Sequence, residues 1–280
     1  MKTVYIGNIS VSNNSPLVLI AGPCMLENRE LALIVADHLV KITNELKIPF
    51  IFKASFDKAN RTSLNSKRGV PLEESLKIFQ EIKKTYGCLI ITDVHESCQC
   101  HVVAEVVDVL QIPAFLCRQT DLLVAAAKTG KAIHIKKGQF LAPWDMKNVY
   151  KKVKSSGNEN ILLCERGVCF GYNRLISDMR SLKIMEDFGY PVIFDVTHSM
   201  QEPGGLGEKS GGNREHAELL ARAAVSVGVA GLFVETHPDP NSAFSDGPNS
   251  IPLHAMKDFM ITMQRFDELS KKTKYQNMKC

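Results

Sequence analysis

The chain has 280 residues, of which 45% are hydrophobic and 23% are charged, a balance that excludes a disordered chain and suffices for a large buried core. Its formal net charge of +4 is mild and argues against a nucleic-acid partner. No apolar run is long enough to cross a bilayer, and MKTVYIGNISVSNN lacks the apolar stretch of a secretory leader. We therefore expect a soluble, cytoplasmic protein without a membrane or nucleic-acid partner.

The eight cysteines are expected to be reduced in that compartment and to serve as small core residues or metal ligands. The run Cys98-Gln99-Cys100-His101 superficially suggests a metal cluster. Its ligands are too crowded for an ordinary zinc module, and no second cysteine pair follows at the right distance. We interpret this run as structural.

The first segment, VYIGNISV, predicts a β-hairpin within residues 1–14. Eight short, mostly apolar runs then alternate with amphipathic segments, which is typical of parallel strands covered on both faces. The predicted strands span residues 17–24, 50–56, 89–95, 109–115, 132–138, 161–167, 192–198 and 231–237.

Helix signals fill the gaps between these strands. An apolar face that begins at Leu31 follows Asn28, a plausible N-cap. Pro71 starts the next predicted helix, which stops before Gly87. Thr120 is expected to cap an alanine-rich helix. Further helices are predicted from residue 143, near 179–188, over 213–227 and over 253–266, and the tail 271–280 is expected to fray.

Eight strand–helix units in about 250 residues match a (β/α)₈ TIM barrel, an α/β fold. The N-terminal hairpin is expected to close the bottom of this barrel. An open doubly wound sheet is the alternative, but it normally has fewer units and a glycine-rich first turn. Because no internal linker or low-complexity tract interrupts the pattern, residues 1–280 are predicted to form a single catalytic domain.

A metal site is predicted at one side of the barrel mouth. Catalytic groups of such barrels come from the C-terminal strand ends and the loops after them. Cys24, His198 and Glu235 end the first, seventh and eighth predicted strands, which become neighbours on closure, and Asp246 follows the eighth. For each residue alone a structural role is the simpler interpretation. Together, a thiolate, an imidazole and two carboxylates favour a divalent Zn, Fe, Co or Mn ion.

A second group of residues at or after the strand ends is basic and comprises Lys53, Lys58, Arg61, Arg118, Lys136 and Arg166. Each alone could be a solvated surface charge. Lys53 and Lys136, however, lie inside apolar runs and are expected to point into the barrel mouth. Several cations gathered there repel one another unless anions bind, which predicts phosphate or carboxylate substrates.

The loop PGGLGEKSGG, residues 203–212, contains five glycines and follows His198. Glycine permits many backbone conformations, and this position suits a mobile lid or a phosphate-binding nest. A flexible connector is the alternative.

Several long motifs resemble those of the 3-deoxy-D-manno-octulosonate 8-phosphate synthases, over most of the chain from about Leu17 to Leu253. They are IFKASFDKANRTS, ITDVHES, LQIPAFLCRQTDLL, KKGQFLAPW, CERGVCFGYN, FDVTHSMQEPGGLG and FVETHPDP with the later SDGP. The resemblance implies a transferase that condenses phosphoenolpyruvate with D-arabinose 5-phosphate and water. The products are 3-deoxy-D-manno-octulosonate 8-phosphate and inorganic phosphate, on the route to lipopolysaccharide.

The same resemblance bears on the metal and on assembly. The family has metal-dependent members with Cys after AGP and metal-independent members with Asn there. This sequence has AGPC, which resembles the metal-dependent kind, with His198, Glu235 and Asp246 in the matching positions beside Cys24. The resemblance also implies a homotetramer in which Arg118 reaches the site of a neighbouring subunit.

Substrate roles are likewise implied residue by residue. The positions that match the family's phosphoenolpyruvate contacts are Lys136 and Arg166, assisted by Lys53, Lys58 and Gln111. Asn60 and Arg61 match contacts to the sugar phosphate, and Thr62 stands where the family usually has Ser, so its methyl group could tighten that pocket. The candidate catalytic residues are Lys136, Asp93, His95, His198 and Asp246, of which Asp93 and His95 are candidates for proton transfer.

Two alternatives remain. The related 3-deoxy-7-phosphoheptulonate synthase joins phosphoenolpyruvate to erythrose 4-phosphate and shares the barrel and the metal set. The segment KANRTS favours the arabinose enzyme. A non-catalytic barrel that binds a metal or a sugar phosphate is the other alternative, and the presence of every expected ligand and anion-binding side chain argues against it.

Overall fold

The structure is a computed structural model that describes residues 1–205 and 211–277. A hairpin of β1 (Val4–Ile6) and β2 (Ile9–Val11) precedes eight parallel strands. These are β3 (Val18–Gly22), β4 (Phe50–Lys53), β5 (Leu89–Asp93), β6 (Val109–Ile112), β7 (Ala132–Lys136), β8 (Ile161–Glu165), β11 (Val192–Asp195) and β14 (Gly231–His237). Each pairs with its neighbours, and β14 pairs with both β11 and β3, which closes the ring. The predicted TIM barrel and its strands are confirmed.

Shorter strands occur in the loops around the barrel. These are β9 (Val168–Cys169), β10 (Leu175–Ile176), β12 (Gln201–Glu202), β13 (Gly211–Gly212) and β15 (Ile251–Pro252). β12 pairs with β13 in antiparallel fashion, so the two ends of the predicted lid lie side by side. The centre of that lid, residues 206–210, lies outside the described residues.

Helices cover the outside of the ring. They are α1 (Arg29–Leu46), α2 (Leu72–Tyr86), α3 (Gln99–Ala104), α4 (Thr120–Lys128), α5 (Met146–Ser155), α6 (Arg180–Glu186), α8 (Ala217–Val227) and α9 (Met256–Asn277). The short α7 (Val196–Ser199) instead carries His198 at the barrel mouth. Asn28 caps α1 as predicted, since its Oδ1 accepts a hydrogen bond from Leu31 N at 2.8 Å. Gly87, with φ of 68°, ends α2 in the left-handed conformation that glycine permits.

The predicted cap at Thr120 is wrong. The chain enters α4 one residue earlier than expected, so Gln119 occupies the N-cap position and makes no side-chain cap. Thr120 is therefore the first helical residue, and its hydroxyl accepts a hydrogen bond from Lys152 Nζ at 2.8 Å.

Two further expectations concern the C-terminal tail and the absence of a membrane span. The last helix continues through Asn277, so it takes in most of the segment 271–280 for which fraying is expected, while residues 278–280 lie outside the described residues. Among the described residues, no helix has the length and apolar character that a membrane span requires.

The hydrophobic core has two layers. The larger lies between the barrel and its helices, and the smaller fills the lower barrel interior. The hairpin contributes Val4, Ile6, Ile9 and Val11 to the inner layer, whereas the alternate residue Tyr5 is 72% exposed. The prediction that the hairpin closes the barrel bottom is confirmed, because these side chains cover the inward-facing ends of the strands.

Candidate active site at the mouth of the barrel

The inward positions of the barrel strands change from apolar to polar along each strand. Alternate residues of a strand face the same side. In β4 the inward Ile51 is followed two residues later by Lys53, and in β5 Ile91 is followed by Asp93. The strands therefore combine an apolar floor with a polar mouth, where a cavity of about 680 Å³ opens.

Most of the predicted site residues line this cavity. The predicted residues in its wall are Lys53, Lys58, Asn60, Arg61, Thr62, Asp93, His95, Gln111, Lys136, Arg166, His198 and Asp246. Cys24 and Glu235 are buried beside it, with exposures of 5% and 0%. Arg118 is exposed on the surface and does not line the cavity of its own barrel.

Three of the four predicted metal ligands converge. The ligand atoms of Cys24, Glu235 and Asp246 lie within 4.8 Å of one another, and among the described residues no other group of three has this arrangement. Cys24 Sγ is 3.1 Å from Asp246 Oδ2. Glu235 Oε2 is buried without a hydrogen-bond partner, which is costly unless another group satisfies it. A divalent cation fits this donor set.

His198 lies beside this group rather than within it. Its Nε2 is 3.9 Å from Glu235 Oε1, and its Nδ1 is 2.8 Å from Asp195 Oδ2. Burial alone would raise the pKa of Asp195, but His198 and Lys136 together hold it well below its usual range. The ionised carboxylate can accept the Nδ1 proton, which leaves Nε2 available to a cation. Metal-binding histidines commonly have such a carboxylate behind them.

The protonation states of Cys24 and Asp246 follow from their surroundings. Burial and the nearby Glu235 raise the pKa of the Cys24 thiol well above its usual value, so without a cation it is protonated and donates to Asp246. Burial opposes ionisation of Asp246, yet His198 and Lys58 lower its pKa overall. A bound cation would favour the thiolate, which is the form of cysteine that coordinates metals.

The two lysines predicted to point into the mouth do so, but they are paired with carboxylates. Lys53 Nζ donates to Glu235 Oε1 at 2.9 Å and to the Cys24 carbonyl at 2.8 Å. Lys136 Nζ pairs with Asp195. Carboxylates of the protein therefore already compensate the charges of Lys53 and Lys136, since leaving a buried charge unpaired costs several kcal/mol.

Arg166 retains free hydrogen-bonding capacity in the cavity wall. Its Nε and Nη1 are buried without partners, while Nη2 donates to Gln201 Oε1 at 3.1 Å. Burial lowers the pKa of this guanidinium. The carboxylate of Glu165 fixes the backbone here by accepting from Arg166 N at 3.1 Å and from Gly167 N at 2.7 Å. A planar anion could satisfy the two vacant donors.

The predicted sugar-phosphate residues lie on the loop between β4 and α2. Its neck is closed by Lys58 N, which donates to the Arg68 carbonyl at 2.7 Å, and by the ion pair of Arg68 with Asp57. Gly69, with φ of 127°, is required there, since a Cβ would lie 2.2 Å from the Phe56 carbonyl oxygen. The loop thus holds its cations over the cavity.

Asp93 lies at the centre of a hydrogen-bonded chain. It accepts from Ser55 Oγ at 2.5 Å and from Gln111 Nε2, and Gln111 Oε1 is 2.9 Å from His134 Nδ1. Burial opposes ionisation of Asp93, but Lys53 and Lys58 lower its pKa well below the usual range. The carboxylate can only accept, so the Gln111 amide must donate to it and His134 must donate to Gln111.

His95 differs from Asp93 in its availability. It lines the cavity, packs edge-on against Phe56 and leaves Nδ1 without a partner. Burial lowers its pKa, so it is neutral near pH 7. Asp93 and His95 are both predicted to transfer protons. Both oxygens of the Asp93 carboxylate already accept hydrogen bonds, whereas His95 Nδ1 has no partner.

Three residues that contact the predicted site residues were not predicted from the sequence, namely Asp195, Gln201 and Ser245. Asp195 supports His198 and neutralises Lys136, and it could have been found because it ends a strand three residues before His198. Gln201 and Ser245 both contact Asp246. Neutral side chains in loops have no distinguishing pattern, so no sequence signal identifies these two.

The run around Cys98 lies away from this site. Cys98 is exposed, Cys100 is buried on α3 and the His101 side chain is 86% exposed. Their side chains thus face different surroundings. All the cysteines in the described part of the chain are free.

A TIM barrel whose mouth combines an arginine with two vacant buried donors and a possible metal site is typical of enzymes that act on phosphorylated or carboxylated substrates. Residues 2–272 match the profile of the DAHP synthetase I family. The chain therefore belongs to this family.

Individual relatives are similar over nearly their whole length. A protein of Bartonella henselae named 2-dehydro-3-deoxyphosphooctonate aldolase is 63% identical over 270 residues, which cover 96% of this chain and 97% of that protein. Proteins with the same name from Bartonella quintana and Brucella canis are 61% and 59% identical. They also cover 96% of this chain, over 97% and 98% of their own lengths.

The buried His134 makes folding stability depend on pH. Burial and the nearby Lys136 lower its pKa from 6.5 to about 3. Below pH 6.5 the unfolded chain binds a proton that the folded protein does not, so stability falls as pH decreases. Between pH 6.5 and pH 5 the loss is about 2 kcal/mol. His134→Gln, which keeps a donor but does not titrate, should remove this part of the pH dependence.

Urea unfolding of both proteins at pH 6.5 and pH 5 measures this difference. His101→Gln serves as the control, since His101 is exposed. An unchanged pH dependence in His134→Gln would contradict the assignment.

Proposed function

We propose that this protein condenses phosphoenolpyruvate with D-arabinose 5-phosphate and water to give 3-deoxy-D-manno-octulosonate 8-phosphate and inorganic phosphate, a step towards lipopolysaccharide. The observation that carries the proposal is the cavity, whose wall contains both Arg166, with two buried and unpartnered donors, and Arg61. Two separate cations suit two anionic substrates. The relatives' name supports the substrate pair, because three carbons and five carbons give an octonate.

The two alternatives are less well supported. Erythrose 4-phosphate would give a seven-carbon product, which does not agree with the name of the relatives at 59–63% identity. A non-catalytic barrel does not agree with relatives that are named as enzymes. Phosphorylated metabolites as substrates also support a cytoplasmic location.

Burial supports the proposed substrate roles. We assign phosphoenolpyruvate to the deeper end of the cavity, at Lys136 and Arg166, which are 5% and 3% exposed. Lys53, Lys58 and Gln111 assist there. The sugar phosphate is assigned to the outer loop, at Asn60, Arg61 and Thr62, with the reacting aldehyde directed inward. This arrangement brings C3 of phosphoenolpyruvate towards the aldehyde carbon.

The residues of the cavity support each stage of the reaction. C3 attacks the aldehyde, whose oxygen takes up a proton, and C2 becomes electron-poor. Water adds to C2 with loss of a proton, and the resulting hemiketal phosphate expels phosphate by C–O cleavage as its hydroxyl loses a proton and becomes the C2 ketone. Arg166 and Lys136 hold the phosphate and carboxylate. We assign to the ionised Asp93 the stabilisation of positive charge at C2, and to neutral His95 the acceptance of a proton from the attacking water.

We further propose that Cys24, His198, Glu235 and Asp246 hold one divalent ion, either Zn, Fe, Co or Mn. The orphaned Glu235 Oε2 and the carboxylate behind His198 support this set. When bound, such an ion supplies orientation and polarisation for substrate oxygens. His198 Nε2 would need to move towards the other three ligands.

Phosphate release with each aldose tests the proposed reaction. Metal-loaded protein and phosphoenolpyruvate should release phosphate with D-arabinose 5-phosphate at least about 100-fold faster than with erythrose 4-phosphate, because a site built for one set of hydroxyls discriminates strongly against another. Chelation should abolish release, and added metal should restore it. Faster turnover of erythrose 4-phosphate would overturn the substrate assignment.

Cys24→Ala should lower the affinity for a divalent metal by about 100-fold or more, since loss of a direct ligand exceeds the cost of losing a supporting residue. Metal content after gel filtration measures this, with Cys100→Ala as the control because Cys100 is buried away from the site. A fully active, chelated Cys24→Ala protein would contradict the metal proposal. Cys24→Asn, the metal-independent residue of the family, should retain turnover with chelator present, and its inactivity while folded would show that other positions also set metal dependence.

We propose a homotetramer in which Arg118 completes the site of a neighbouring subunit. Phe115, Phe140, Trp144 and Phe170 lie on the loops after β6, β7 and β8 and are 52–67% exposed. Exposed aromatic side chains on neighbouring loops favour a protein contact. Arg118 lies on the first of these loops, outside its own cavity.

Arg118→Ala should therefore keep the tetramer in sedimentation velocity while kcat/KM falls by about 10- to 100-fold, the effect of losing one charge-assisted hydrogen bond. Arg180→Ala, which removes an exposed arginine paired with Asp178, is the control. A fully active monomer would exclude the proposed assembly.

A further inference from the structure

The carboxylate of Asp246 is held by three side chains. Gln201 Nε2 donates to Oδ1 at 2.8 Å, and Ser245 Oγ and Cys24 Sγ each lie 3.1 Å from Oδ2. The backbone of Asp246 has φ of 50°, a left-handed conformation that Asp tolerates better than most residues. The position of this carboxylate therefore depends on its hydrogen-bond partners as well as on the loop.

Two of these partners, Gln201 and Ser245, also accept hydrogen bonds from arginines. Gln201 Oε1 accepts from Arg166 Nη2 at 3.1 Å, and Ser245 Oγ accepts from Arg61 Nη1 at 2.5 Å. An arginine can only donate, and an ionised Asp246 can only accept. The amide and the hydroxyl between them are therefore fixed in one orientation. One neutral side chain connects each arginine to the same carboxylate.

We propose that Gln201 and Ser245 are positioning residues that couple anion binding at the two arginines to cation binding at Asp246. Gln201 connects the anion at Arg166, and Ser245 independently connects the anion at Arg61. This inference rests on the proposed function for the assignment of phosphoenolpyruvate to Arg166 and of the sugar phosphate to Arg61.

The sign of the coupling follows from the charges of the ligands and from the restraint that a bound anion places on the side chains. Arg166 keeps Nε and Nη1 available, so it can bind an anion while Nη2 still holds Gln201. An anion restrains its arginine, the arginine restrains the neutral side chain, and Asp246 becomes better positioned for a cation. Each anion should therefore tighten cation binding, and by linkage the cation should tighten anion binding equally.

The two connections can be separated by mutation. Ser245→Ala removes the hydroxyl between Arg61 and Asp246 but leaves both charges and the Gln201 connection. Gln201→Leu removes the amide between Arg166 and Asp246 but leaves the Ser245 connection. Ser242→Ala is the matched control, because the Ser242 hydroxyl lies on the same loop and bonds to the Asp239 carbonyl.

The experiment is a titration of metal-free protein with Co²⁺ against a competing chelator. The absorption band of the Cys24 thiolate bound to cobalt measures occupancy, and each titration is repeated with saturating phosphoenolpyruvate or D-arabinose 5-phosphate. In the unmodified protein each anion should raise Co²⁺ affinity by about fivefold or more. Ser245→Ala should reduce the sugar-phosphate effect to about twofold or less and keep the phosphoenolpyruvate effect, and Gln201→Leu should do the reverse.

Two results would overturn the coupling. One is a full sugar-phosphate effect in Ser245→Ala or a full phosphoenolpyruvate effect in Gln201→Leu. The other is an equal loss of both effects in each variant, which would indicate general loosening of the loop. An unmodified protein that turns over both substrates while neither alters Co²⁺ affinity would also reject the coupling and leave the proposed function intact. Absence of phosphate release would instead reject the proposed function.

Discussion

Parallel pairing of β14 with β3 is the constraint on which the rest of the site depends. The register runs from Gly231 opposite Val18 to Glu235 opposite Gly22, so the last barrel strand ends beside the first. Cys24 follows Gly22 by two residues, and Lys53 of the next strand reaches both Glu235 and the Cys24 carbonyl. Closure thus brings Glu235 into contact with Lys53, which lies 182 positions earlier in the sequence.

The same closure explains why a buried cluster of charges is tolerated. Lys53 and Lys136 each face a carboxylate supplied by another strand, Glu235 and Asp195 respectively. Pairing offsets much of the cost of taking these ions out of water. Arg166 differs, since two of its donors have no partner in the structure. Charge complementarity is therefore left incomplete at the position where an anion is expected.

Much of this arrangement could be predicted from the sequence because barrels obey simple rules. Apolar runs located the strands, and strand ends and loops that become neighbours on closure predicted the convergence of Cys24, Glu235 and Asp246, though His198, predicted with them, lies beside the group. Short-range details could not be predicted in the same way. The cap of α4 shifted by one residue to Gln119, and the carboxylates opposite the lysines depend on which side chains meet across the barrel. Neutral connectors such as Gln201 have no recognisable pattern at all.

The hairpin at the bottom of the barrel also limits the routes by which small molecules can reach the site. With Val4, Ile6, Ile9 and Val11 plugging that end, substrates, water and products share the mouth at the opposite end. The inner subsite around Arg166 is nearly inaccessible, whereas Asn60 and Thr62 at the rim are exposed. A molecule seated at the rim would obstruct the passage behind it. If the proposed substrate assignments hold, a closed bottom and a single open mouth would favour filling the inner end of the cavity before the rim.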